Sequence, residues 1–188
     1  MSNLKELTWE HHKDAERQDF VKVLMSGKIN PKLYATFLWN QHIKYDLLEA
    51  LVSVTGKLID VPGIWRKQAI YEDFIELWPY EEQPATLECT KKYVEHMRTL
   101  IMNEDALMAH VYVMHMGDLS GGQMIAKKVP GAGRLYKFEG DIAELKDQIR
   151  SRTHDGMADE ARKCFEFATQ TFKELMELDI EHYLESSD

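Results

Sequence analysis

The sequence predicts an all-α fold, and three observations carry that expectation. Apolar residues recur at three- and four-residue steps over long stretches. No segment alternates with the two-residue period of a half-buried strand, and no Asn-Gly or Asp-Gly pair joins two such runs. The five prolines and ten glycines fall mostly between the periodic stretches. With 188 residues, 44% of them hydrophobic and 29% charged, the chain can build a core and is expected to form a single domain over 1–188.

The clearest helix opens at Asn30-Pro31, with Asn as cap and Pro at the first helical position. Tyr34, Phe37, Leu38, Gln41, Tyr45, Leu48 and Val52 then recur on one face until Gly56. A second helix is expected over about 66–78, closed by Pro79, and a third over 85–102, with Tyr93, Val94, Met97, Leu100 and Ile101 as its apolar positions. Asn103 caps a helix running towards Pro130. Asp141 opens a basic helix to about 153, and a long final one covers 158–184.

Charge and composition exclude several roles. A formal net charge of −9 repels nucleic acid and anionic membrane, so no nucleic-acid partner is expected. No stretch approaches the ~20 apolar residues of a membrane helix. The start, MSNLKELTWEHHKD, lacks an apolar signal core, and the acidic end, EHYLESSD, carries no anchor. Cys89 and Cys164 stand far apart in no ligand spacing, as buried thiols of a reducing compartment do. A cytoplasmic protein without a membrane anchor is the expectation.

The stretch richest in chemistry is Gly117-Asp118-Leu119-Ser120-Gly121-Gly122-Gln123. It lies inside a helical pattern, where each glycine costs ~1 kcal/mol relative to alanine. Such a cost calls for close approach to the backbone or for a kink. Gly117 and Gly121 share a face, so close helix–helix packing and a flat ligand lying on the backbone both fit. A phosphate loop does not, because no lysine follows in Walker spacing and no strand precedes; a dinucleotide fingerprint fails for the same lack of a strand.

The second feature is the pair His11 and His12. Continued helical spacing puts His12 with Glu16, Phe20, Val23 and Leu24, whereas His11 falls with Ala15, Gln18 and Lys22. The apolar side therefore goes with His12. The third feature is Lys146 and Arg150, four apart on the helix after Asp141. Taken alone, they read as a solvated pair screened by Asp147.

Together these segments resemble the haem oxygenases, along nearly the whole chain and most weakly over 56–100 and after Arg152. The Gly-Asp-Leu-Ser-Gly-Gly-Gln run looks like that family's distal-helix motif, and His12-Lys-Asp-Ala15-Glu16 matches its proximal histidine segment. The resemblance implies haem b, as substrate and cofactor, sandwiched between a proximal helix and a kinked distal helix of a helical bundle. By the same likeness His12 is the axial iron ligand and Glu16 its supporting carboxylate. Gly117, Gly121 and Gly122 are implied as close-contact positions, and Asp118 as the carboxylate that orders distal water, with Tyr45 beside it. Lys146, Arg150, Lys5 and Tyr112 match positions at the haem propionates, where carboxylates beside an apolar ring need a charged partner. Tyr45 and Glu49 match the long helix, and Phe165 and Phe172 match aromatic wall positions.

Some residues depart from that pattern. Trp9 stands where animal members commonly carry a basic residue, and Val113-Met114-His115 where many carry Thr-Arg-Tyr. Ala168 stands where Asn is usual, and the connection between Arg152 and Ala161 is short. These departures imply a rewired distal network with Asp118 and Tyr45 retained.

The implied activity is oxidative opening of haem to biliverdin, by family habit the IXα isomer, with carbon monoxide and ferrous iron. It requires O2 and an electron donor. Lys127, Lys128, Arg134 and Lys137 form a basic cluster in an acidic chain, either a solvated face or a docking patch for ferredoxin. A bilin reductase is a possible downstream partner. The alternative is a non-catalytic haem carrier or sensor on the same fold. A di-iron bundle would need paired Glu-x-x-His motifs, which are absent. Thiamin-degrading helical proteins leave the glycine run unexplained.

Overall fold

The computed structural model describes residues 2–178, and these contain ten α-helices and no strand. The helices are α1 (Leu4–Leu7), α2 (Trp9–Glu16), α3 (Asp19–Met25), α4 (Pro31–Thr55) and α5 (Lys67–Leu77). After them come α6 (Glu88–Arg98), α7 (Glu104–Ser120), α8 (Gly122–Ile125), α9 (Ile142–Arg150) and α10 (Ala158–Glu177). The expected extension of the last helix over 179–184 and the acidic end lie outside the described residues.

Helix ends follow local chemistry. The Asn30 side chain accepts from the Lys32 N–H at 2.8 Å, Asn103 from Ala106 at 3.1 Å and Asp141 from Glu144 at 2.9 Å. Gly56 closes α4 in the left-handed region at φ 77°, where a side chain would be strained.

Three boundaries differ from expectation. The segment expected to be helical from 85 begins only at Glu88, because the Asn40 side chain bonds the Ala85 carbonyl and the Leu87 N–H, both at 2.9 Å, and holds that strip extended. Its far end stops at Arg98, and Met102 takes a positive φ of 64° just before Asn103. The helix expected to run on towards Pro130 breaks at Gly121 and ends at Ile125.

The long α4 runs beside α5 and also meets α6 and α7. α10 packs against α7, and α2, α3 and α6 rest on α10. One core lies where α4, α6, α7, α9 and α10 converge, with Leu48, Val52, Met97, Leu107, Val111 and Ile149 all buried. A second joins α3 to the first half of α4 through Phe20, Leu24, Tyr34 and Leu38. Each such fully buried large side chain contributes about 1.5–3 kcal/mol. No helix among the described residues is long and apolar enough to cross a membrane. Cys89 and Cys164 are buried free thiols.

Candidate functional site

The N-terminal segment turns at Arg17 and Gln18, the latter in an extended conformation (ψ 144°), so α2 and α3 are separate helices. Phe20 and Leu24 therefore do not continue the His12 face, contrary to the continuous spacing assumed from sequence. They point into the second core instead. What singles out His12 is local. Its Nε2 meets Glu16 Oε1 at 3.0 Å, and its ring stacks on Phe165 of α10 at 5.5 Å and 19°. Trp9 meets the same ring edge-on at 5.4 Å. His11 reaches across to Glu166 at 3.4 Å. The His12 side chain is 37% exposed and so open to a ligand. Phe172, expected on the same wall, stacks on Phe20 at 5.5 Å in the second core.

On α7 the glycines divide. A Cβ added to Gly117 would meet nothing within 4 Å, and one at Gly121 only the Gly117 carbonyl oxygen at 3.6 Å. Both backbone faces are open, as a flat ligand resting on the helix requires. Gly122 differs. A Cβ there would lie 2.5 Å from Tyr136 Cδ1, so this glycine admits an aromatic ring of the protein itself. The Tyr136 carbonyl also accepts from Gln123 Nε2 at 3.0 Å. Sequence reading grouped the three glycines; tertiary packing assigns Gly122 to the kink.

The Tyr136 turn is held from α5. Buried Arg66 donates to the carbonyls of Leu135 at 3.3 Å and Lys137 at 2.8 Å, and its guanidinium lies 3.9 Å from the Phe138 ring centroid. Arg66 was not singled out from sequence; an isolated arginine near a helix start gives no hint of a long-range role.

Beside the open face, the Tyr45 hydroxyl of α4 donates to Asp118 Oδ2. Burial pushes the Asp118 carboxyl up to about 7, and the Tyr45 bond with the nearby His115 and Arg66 opposes the rise only partly. Behind this pair, His115 Nε2 lies 3.1 Å from Glu49 Oε1. Glu49 in turn accepts the Arg66 and Lys67 N–H groups at 2.6 and 3.2 Å, so it caps α5 with a negative charge. Thus the chain places a buried imidazole tied to a buried carboxylate behind Asp118.

Among the expected basic anchors, Arg150 is exposed and pairs with Asp147 at 3.2 Å, while Lys146 is half-buried on the same helix. Lys5 lies over the Trp9 ring at 6.0 Å. Burial raises the pKa of the Tyr112 phenol, and the nearby Thr8 and Arg150 oppose the rise.

A second polar cluster lies near the start of α7. His96 and His110 both bond Glu160 Oε1, at 2.5 and 2.8 Å, and Tyr93 meets His110 Nδ1 at 3.0 Å. Burial lowers the His110 pKa, while the two imidazoles hold the Glu160 carboxyl down near about 2.

Fold and site define an all-helical bundle in which an imidazole-bearing helix and a glycine-kinked helix pack on a common third helix. The Heme oxygenase family model matches residues 1–174. The chain is 33% identical over 203 residues to heme oxygenase 2 of Macaca fascicularis, covering 92% of this chain and 64% of that protein. It thus spans somewhat under two thirds of this relative's length. The solved heme oxygenase of Leptospira interrogans superposes with a TM-score of 0.79 at 28% identity, covering 91% of this chain and 97% of that one. Heme oxygenase-1 of a Synechocystis cyanobacterium, solved in complex with heme, shares the fold with a TM-score of 0.82 at 24% identity, covering 97% and 96%. The chain belongs to the heme oxygenase family.

Proposed function

We propose that this protein cleaves haem oxidatively to biliverdin, the IXα isomer by family habit, with release of carbon monoxide and ferrous iron. The reading rests above all on one observation: the buried Tyr45–Asp118 pair adjoins a helix face that Gly117 and Gly121 leave open. Haem, bound as substrate, would supply the iron at which dioxygen is activated. His12 would hold that iron through the ring nitrogen that Glu16 does not take, and the Glu16 carboxylate would orient the imidazole. Phe165 would support the ring from α10.

Lys5, Lys146, Arg150 and Tyr112 would receive the propionate carboxylates, and the low dielectric beside an apolar macrocycle strengthens such charge-assisted bonds. Gly117 and Gly121 would let the macrocycle lie against the backbone. Asp118 would hold and deliver a proton on the distal side. A carboxyl raised to about 7 suits that task, since both protonation states are populated near neutrality. Tyr45 keeps Oδ2 in place by its donated bond.

Electrons would come from an acidic partner such as ferredoxin, docking on Lys127, Lys128 and Lys137, which are exposed. Arg134 leaves that patch: its guanidinium is spent on Asp73 at 3.1 Å and on Glu76. A cytoplasmic location and delivery to a bilin reductase belong to the same reading.

The test is direct. Purified protein receives haemin, ferredoxin, its reductase and NADPH. The Soret band should give way to biliverdin absorbance. A stable Soret band under continued reduction would leave a haem carrier or sensor in place of an enzyme.

A further inference from the structure

His115 is fully buried, and its Nδ1 has no hydrogen-bond partner among the described residues. A buried unpaired acceptor costs about 1–3 kcal/mol, so such an atom calls for a partner or a water. Its other ring nitrogen is committed to Glu49 at 3.1 Å. Glu49 cannot turn away, since two α5 N–H groups hold it. In the neutral ring with Nε2 donating to Glu49, Nδ1 presents a lone pair.

Three features place the imidazole on the Asp118 side. Asp118 follows His115 by three residues on α7, so their side chains are helical neighbours. The Tyr45 ring lies 5.0 Å from the imidazole, while the Tyr45 hydroxyl bonds Asp118, which places all three groups together. The Tyr45 bond occupies Oδ2, so a proton on the carboxyl resides on Oδ1.

We propose that His115 is a positioning residue and proton acceptor for Asp118, taking a hydrogen bond on Nδ1 from the Asp118 carboxyl directly or through one water. The O–H bond at Asp118 Oδ1 breaks as the N–H bond at Nδ1 forms, giving a carboxylate and an imidazolium. Glu49 balances the imidazolium charge, and the reverse transfer restores both neutral groups. This is the base-with-orienter arrangement of acid–base sites, with Glu49 as the orienting carboxylate. The charged or titratable groups facing Asp118 are Tyr45 and Glu49 from α4, Arg66 before α5, His115 on α7, and Tyr34 and Tyr136. Among these, only His115 offers an unprotonated nitrogen. The inference deepens the proposed role of Asp118, but its test needs no haem.

Ligand-free protein is labelled for nitrogen and carboxyl-carbon NMR. The His115 Nδ1 resonance should move in Asp118→Asn. In His115→Leu the Asp118 midpoint should rise by about one pH unit, because no imidazolium can then form to stabilise the carboxylate. His115→Gln, which accepts a hydrogen bond but cannot take up a proton, should show the same rise and so separates proton acceptance from packing. A resonance indifferent to Asp118→Asn, or an unchanged Asp118 midpoint in His115→Leu, would each overturn the proposal. The outcome stands apart from the haem assay, which can succeed or fail without altering these resonances.

Discussion

Tyr45 and Asp118, 73 residues apart in the chain, are joined by a hydrogen bond from the phenol to Oδ2. The bond crosses from the middle of α4 to the end of α7, just before the Gly121 kink. It holds the acidic group of the open helix face against the longest helix of the bundle.

The raised Asp118 carboxyl makes a prediction about stability. Burial is the main cause of its rise to about 7. A carboxyl titrates near 4 in an unfolded chain, so the folded state binds this proton more tightly. Its contribution is complete below about pH 4 and is lost as pH climbs through about 7. Urea unfolding of ligand-free protein should show Asp118→Asn gaining on wild type across that window. Parallel curves for the two proteins would place the carboxyl in its ordinary range. Tyr45→Phe should raise the midpoint further, since the lost hydrogen bond favours the ionised form.

Two glycine substitutions should separate open space from packed space. Gly122→Ala drives a methyl into Tyr136 at 2.5 Å and should cost about 1–3 kcal/mol of stability, read from the denaturant midpoint. Gly117→Ala meets no protein atom and should stabilise the helix by up to ~1 kcal/mol. It should nonetheless weaken haem uptake, because the methyl occupies the ligand's side. Unchanged affinity in Gly117→Ala would argue that haem does not rest on this face.

His12→Ala should remove the axial ligand and change the spectrum of the ferric haem complex, whereas His11→Ala should leave it intact. The Phe165 stack and the Glu16 bond motivate the choice. The reverse pattern of spectra would transfer the ligand role to His11.

Reversing charge at Lys127 and Lys128 should slow ferredoxin-driven turnover at least several-fold and weaken its salt dependence. Haem affinity should hold. Undiminished turnover at low salt would move the docking surface elsewhere.

The helical class, α4 from its Asn-Pro start to its glycine end, and the glycine-bearing run of α7 were all legible in the sequence. They depend on periodicity and capping, which are local. So was the contact of His12 with Glu16, four residues apart on a single helix. The extended strip before α6 was not, because the Asn40 side chain that holds it comes from another helix.

The sequence by itself determined the family and the helical frame, since helical period, caps and a long motif need only neighbouring residues. Only tertiary structure decided that Gly122 serves Tyr136, that Arg66 braces the kink, and that Glu49 and His115 stand behind Asp118. Those roles arise where separate helices exclude water and force each buried polar atom to find a partner. Distance along the chain carries no record of such meetings.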